Sequence, residues 1–319
     1  MKKRKHIEIF PYNPIWPQTF EEEAANIKNI LNVHCLAVHH IGSTSIPGLY
    51  GKQDIDIICV IDCLDESLAL EKIGYTFKGE LNIPLRYYFS KNTSKIKVNL
   101  HVVGSDHAFV NLNLYFRNYL RSHKQARIEY RKLKEELLKH PSSYEKFDNA
   151  FTGYNLGKNE FIKSILNKAS YNDLSVNFCM HDREWEEYHR IREEQIFKRT
   201  HRKYDRNHPT LSDPKHYHFV LYRGVVIIGV AHIEFLSDVE CALRPFAIDT
   251  PFQRMKYGLR FLTIIEKWLR QQGQIVIHLH AYSPTHPFYE KLGYQRMPFN
   301  DYKPGLSTES IDMGKRLDV

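Results

Sequence analysis

No apolar run in the sequence approaches the ~18 residues that a membrane-spanning helix needs. The basic opening, residues 1–5, runs into Glu8 and Pro11 rather than into an apolar stretch. Both features argue against membrane insertion and secretion, and a cytoplasmic location is expected. Cysteine is scarce and odd in number. Cys35, Cys59, Cys63, Cys179 and Cys241 are widely spread and mostly embedded in apolar runs, which excludes a disulfide framework or a zinc-finger spacing and suits reduced thiols. Internal repeats and low-complexity tracts are also missing, so a repeat array is excluded.

What is present is an ordinary globular composition, 42% hydrophobic and 26% charged over 319 residues, more than one core usually organises. Two domains of roughly 150 residues each are expected. The net charge of +8 favours anionic ligands such as nucleotides or coenzyme A and decides among none of them; nothing else indicates nucleic acid.

Both halves read as α/β. In the first, Phe20, Ala24, Ile27 and Leu31 share one helical face. Extended runs at 35–40 and 54–61 flank a turn-rich segment, 42–48, and further strands fall near 86–90 and 96–103. A mostly helical stretch from Phe109 ends near Ala169. The polar segment 170–175 reads as a linker, giving domains of 1–171 and 172–319. The second half predicts a strand at 176–180, a charged helix at 182–199 and a loop to Pro214. Strands follow at 218–222, 225–235 and 239–248, then a helix over 256–272 and a strand at 275–281.

The most specific segment is 41–57, with Gly42 and Ser43 in a turn and Asp54 and Asp56 one residue apart on the next strand. Strand side chains alternate, so the two acids share a face. With 99–103, 116–121 and 154–161, this segment resembles the GrpB family of nucleotidyltransferase-like domains over most of residues 6–169. The resemblance implies a mixed sheet with helices, a phosphate-binding turn at Gly42, Ser43 and Lys52, and a magnesium site at Asp54 and Asp56. Where a third carboxylate is expected, this chain offers Asn99 and His101. Lys52, Arg86, Arg117 and Arg121 are further phosphate candidates, and equally candidates for surface pairing. The pairs His39/His40, His216/His218 and His278/His280 lack a readable third metal ligand.

From 225–235 through 243–249, 253–258 and 281–294, ending in Phe288-Tyr-Glu-Lys-Leu-Gly-Tyr294, the second half resembles the GNAT acetyltransferase superfamily. That resemblance implies a central mixed sheet flanked by helices, acetyl-CoA as acyl donor, and a primary amine, small-molecule or protein, as acceptor. It assigns the coenzyme to Phe246, Ala247 and Ile248 on the central strand and to Gln253, Arg254, Lys256, Tyr257 and Gly258 in the pyrophosphate loop. Lys256 stands where a glycine is usual. Tyr289 is implied as proton donor to the departing thiolate, and Glu234 or Glu240 as base. The leading expectation is an amine acetyltransferase with a nucleotide-binding or substrate-presenting partner domain. Magnesium-dependent nucleotidyl transfer beside a coenzyme A-binding module, and two non-catalytic binding modules, are the alternatives.

Overall fold

The structure, a computed structural model, describes residues 6–93, 96–146, 151–301 and 310–318. The basic opening at 1–5 lies outside them. The chain divides into two compact units, Met1–Ser175 and Val176–Val319.

The first unit begins with α1 (Ile15–Leu31), β1 (Cys35–Ile41), β2 (Asp54–Ile61), β3 (Thr76–Phe77), β4 (Arg86–Asn92) and β5 (Lys97–Gly104). The helices α2 (Phe109–Ser122), α3 (Lys124–Leu137), α4 (Gly153–Leu156) and α5 (Asn159–Lys168) complete it. Its five strands lie in the order β1-β2-β5-β4-β3, with β2 and β5 parallel and the other pairs antiparallel. Alternation along β2 divides its side chains cleanly. Ile55, Ile57, Cys59 and Ile61 enter the core with Trp16, Ile27 and Leu31 of α1. Ile58 and Val60 pack on the other face with Phe109, Val110 and Leu114 of α2. Asp54 and Asp56 begin that second face.

The helical stretch after Phe109 is broken at His123, whose φ of −117° and ψ of 95° are extended. Between β2 and β3 the chain forms a 3-10 helix, Leu64–Ile73.

The second unit contains β6 (Leu174–Phe178), α6 (Asp182–Arg192), β7 (His216–Arg223), β8 (Val226–Phe235), β9 (Glu240–Ile248) and α7 (Tyr257–Gln271). It ends with β10 (Val276–Tyr282), α8 (His286–Glu290), β11 (Gln295–Arg296) and β12 (Ser310–Arg316). These strands form one seven-stranded sheet in the order β11-β12-β10-β9-β8-β7-β6, where β9 and β10 are parallel. Phe261, Leu262, Ile265, Trp268 and Leu269 recur at helical spacing and bury one side of α7. Trp268 fills the middle of a ring cluster with Phe178, Tyr217, Phe219 and Phe235. On the opposite face, Tyr188 and Ile191 of α6 pack with Val220, Val230 and Ala247. The charged helix expected to reach Arg199 is regular only to Arg192 and widens into a π turn over Glu193–Phe197.

Candidate functional site

In the first unit the residues between β1 and β2 form a fastened turn. Gly42 has a φ of 69° and a ψ of −172°, a region that is essentially glycine's alone. A Cβ there would stand 2.3 Å from Asp56 Oδ2, so the glycine lets the turn and the carboxylate approach. Arg121 donates twice to the Ser45 carbonyl, and Arg117 donates to the His40 carbonyl. Both arginines thus hold backbone, while Arg86 is buried against the Glu80 carbonyl and Asn82.

Gly42, Ser43, Lys52, Asp54 and Asp56 do come together. Lys52 Nζ is 3.6 Å from Asp54 Oδ2. Asn99 is the register partner of Asp56 on β5 and donates Nδ2–H to Asp56 Oδ1 at 2.8 Å, while the Tyr88 hydroxyl fixes the amide by donating to Asn99 Oδ1 at 2.7 Å. Burial pushes the Asp56 carboxyl up, against the pull of the Asn99 hydrogen bond. Magnesium does not fit this donor set: a hard cation needs oxygen lone pairs, and here the third position points an amide hydrogen at the acid. Among the described residues no group of three or more His, Cys, Asp or Glu gathers as a metal site.

Two lysines join this turn that the sequence reading did not single out. Lys134 of α3 donates to the Ser43 hydroxyl at 3.2 Å and to the Tyr50 carbonyl. Lys158, between α4 and α5, lies over the Tyr154 ring at 4.7 Å from its centroid. The signal for Lys134 was its helical phase, four residues after buried Tyr130 and eight after buried Ala126.

In the second unit, β9 and β10 pair from Glu240↔Val276 to Leu243↔Leu279 and no further. A bulge at Arg244 and Pro245, opposite the single residue His232, turns β9 at that point. Beyond it, the Asp249 N–H donates to the Ile228 carbonyl, which sets the antiparallel alternation. Ala247 directs its backbone groups to β8, while Phe246 and Ile248 direct theirs to the open edge. The side chain of Gln253 takes the Ile248 carbonyl at 2.7 Å.

The loop that follows carries Arg254 at φ 63° and Lys256 at φ 62°. Lys256 supplies no side-chain cap to α7, whose first intrahelical bond runs from Arg260 N–H to Lys256 O. The N–H groups of Tyr257, Gly258 and Leu259 therefore face out of a 15-residue helix, an end that attracts anions. Phe288 of α8 lies beside this end, 3.3 Å from where a Gly258 Cβ would be. Tyr289 follows, and burial raises its phenol well above the ordinary range, so the hydroxyl keeps its proton at neutral pH.

The two acids expected near the acceptor part company. Glu240 opens β9, 51% exposed at its side chain and 3.9 Å from His278 Nε2. It lies four residues before the bulge, ~13 Å along the strand. Glu234 accepts from Arg244 Nε at 2.6 Å, and Arg244 Nη2 also lies 2.5 Å from Asp301 Oδ2. The chain of contacts continues, because His280 Nδ1–H donates to Asp312 Oδ1 at 2.9 Å and Nε2 lies 3.1 Å from the Asp301 carbonyl. Sequence reading missed this cluster, since it joins four strands, β8, β9, β10 and β12, with Asp301.

The same sheet face carries a histidine fixed in its neutral form. His218 Nε2–H donates to the Thr210 carbonyl at 2.8 Å, and Nδ1 accepts from the Tyr188 hydroxyl at 2.7 Å. Burial pushes His218 down to about 4, below its unfolded value of ~6.5. The unfolded chain then binds the extra proton between those values, so the stabilisation is complete above ~6.5 and is lost as pH falls toward 4, by roughly 3 kcal/mol. Denaturant unfolding of the intact protein from about pH 7 to about pH 4.5 should show this loss, and His218→Gln should lessen it, while the other buried histidines, His40, His101 and His232 among them, keep their own share. An unchanged pH dependence in the variant would remove His218 as its source.

The GrpB protein family model matches residues 6–168, and the acetyltransferase (GNAT) family model matches residues 179–294. The UPF0157 protein YqkA of Bacillus subtilis is 36% identical over 174 residues, 52% of this chain and 48% of that protein. The present chain thus spans about half the length of that curated relative. The crystal structure of GrpB from Enterococcus faecalis is 36% identical with a TM-score of 0.45, covering 51% of this chain and 96% of that one. A GNAT-family acetyltransferase from Staphylococcus aureus is 15% identical with a TM-score of 0.39, covering 46% of this chain and 97% of that one. With the family model matching residues 6–168, just over half of it, the chain belongs to the GrpB family, and it carries a GNAT acetyltransferase domain after its GrpB domain.

Proposed function

We propose that the second unit transfers an acetyl group from acetyl-CoA to a primary amine, and that the GrpB domain binds a nucleotide-like ligand or presents the substrate. One observation carries the reading: β9 and β10 stop pairing at Leu243↔Leu279, so the backbone of Phe246 and the Ile248 N–H turn to an edge that β10 leaves unpaired, beside an α7 that begins without a side-chain cap. Acetyl-CoA supplies an activated thioester carbonyl. Tyr257, Gly258 and Leu259 would offer N–H groups to its pyrophosphate, and Gln253, Arg254 and Lys256 shape that loop. Phe246, Ala247 and Ile248 would hold the pantetheine arm in line.

The acceptor arrives as an ammonium, since an alkylamine has a pKa of about 10. Glu234 and Asp301 on Arg244, with Asp312 on the neighbouring His280, gather carboxylates that suit it. Of the two sequence candidates, Glu234 is the one within this cluster, and we assign it the amine's proton. Tyr289 protonates the departing thiolate. Against magnesium-dependent nucleotidyl transfer at Asp54 and Asp56 stands the neutral Asn99 in the third position.

Calorimetric titration with acetyl-CoA tests the reading directly, and no binding to the folded protein would overturn it. In an assay with a panel of amines, Tyr289→Phe should lower kcat by about a hundredfold while the acetyl-CoA Kd stays within about threefold. An unchanged kcat would remove Tyr289 from the proton path.

A further inference from the structure

The turn after β1 is surrounded by more positive charge than negative. Lys52, Lys134 and Lys158 reach it from three separate segments, and the carboxylates near them are Asp54, Asp56 and Glu135, the last already ion-paired with Arg131. Lys52 and Lys158 share one aromatic surface, lying 5.7 and 4.7 Å from the centroid of Tyr154. Lys134 is 1% exposed, and its hydrogen bonds go to a hydroxyl and a carbonyl, both neutral. An ammonium removed from water is costly unless an opposite charge meets it. Burial together with the charge of Lys158 pushes Lys134 down to about 7, and burial with the charge of Lys52 pushes Lys158 down to about 8. The lysines crowd one another as cations do around an anion.

The same residues serve a divalent cation badly. Asp56 Oδ1 accepts from the Asn99 amide, and Asp54 already has Lys52 as its counter-charge. Those contacts supply positive charge and donor hydrogens where a metal requires oxygen lone pairs. Lys158 is within electrostatic reach of both acids, so it can neutralise them as a cation would.

We propose that this pocket of the GrpB domain binds a phosphate-bearing anion without a divalent metal, with Lys52, Lys134 and Lys158 supplying the positive charge. The phosphate lies against the Ser43 end of the turn, which Lys134 reaches through the Ser43 hydroxyl, while Gly42 lets Asp56 pack against the backbone on the other side. Inorganic pyrophosphate and the phosphate end of a nucleotide share this chemistry. The inference is independent of acetyl transfer, since every residue it uses lies within 6–168.

The test is calorimetric titration of the full chain with pyrophosphate and, separately, with ATP, each in excess EDTA and then in excess magnesium. Gly258→Glu serves as the background, so that the end of α7 does not contribute. Binding in EDTA within about twofold of that in magnesium is expected, with Lys158→Gln weakening it by at least about tenfold. Asp54→Asn, at a more accessible acid, should tighten binding by removing a negative charge, and it remains informative if the lysine variant fails to fold. Tighter pyrophosphate than ATP points to a free polyphosphate, and the reverse points to a nucleotide. A strict requirement for magnesium, loss of binding in Asp54→Asn, or no binding of either probe would overturn the proposal.

Discussion

Gly258→Glu is expected to weaken acetyl-CoA binding by at least about a hundredfold, ~2.7 kcal/mol, while leaving the second unit folded. Gly258 is the second residue of α7, and a Cβ there would meet the Phe288 ring edge at 3.3 and 3.4 Å and Ile248 Cγ1 at 3.6 Å. Its φ is not among the positive ones, so an L side chain costs no backbone strain. A carboxylate in the first turn also suits the helix dipole. The same carboxylate competes for the exposed N–H groups of Tyr257, Gly258 and Leu259 and repels a pyrophosphate. Calorimetry beside a thermal melt separates the two effects. Lost binding with an unchanged melt fits an anion site at the end of α7, whereas equal affinity in both proteins would put the coenzyme elsewhere.

The loop before that helix shows where sequence reading was sound and where it ran short. Lys256 in place of a glycine raised a question about loop shape. Backbone geometry answers it: Lys256 and Arg254 both adopt left-handed φ values near 60°, at a cost of ~1–2 kcal/mol each. The conformation that a glycine would take freely is thus kept, and the strain is held by the Gln253 side chain on the Ile248 carbonyl and by the packing of α7. The strands and helices around it were legible because their periodicity is local. Val226–Phe235 and the face of α7 are plain in order and spacing.

Contacts between distant segments were not legible. Asp312 reaches His280 only because β12 pairs antiparallel to β10 with those two residues opposed, and the short, mixed sequence of β12 does not announce its partner. Lys134 and Lys158 read as ordinary surface lysines until tertiary packing brings α3 to Ser43 and sets Lys52 against the Tyr154 ring that Lys158 also covers. The π turn at Glu193–Phe197 has a local consequence that periodicity overstates as continuous helix. Within it, Gln195 donates to Asp249 and accepts from Gln253, tying the turn to the loop before α7.

In the first unit, Gly42→Ala is expected to cost ~3 kcal/mol or more of stability, the largest effect of any one-methyl change considered at this turn. Two terms add. The φ of 69° with ψ near 180° is a region where a non-glycine residue costs ~1–3 kcal/mol. The new Cβ would also lie 2.3 Å from Asp56 Oδ2 and 3.1 Å from Asp56 Cβ, and overpacking of that kind costs ~1–3 kcal/mol. Rotation of Asp56 does not relieve it, because its own Cβ is among the close atoms and Asn99 holds Oδ1. The terms can be separated by a double-mutant cycle with Asp56→Ala, which removes the carboxylate contact and leaves the backbone strain. Denaturant unfolding of the four proteins should then show a coupling of ~1–2 kcal/mol, the second change recovering part of what the first loses. Strict additivity would mean that the turn and the acid are not in enforced contact, and would take from Gly42 its place in the phosphate pocket.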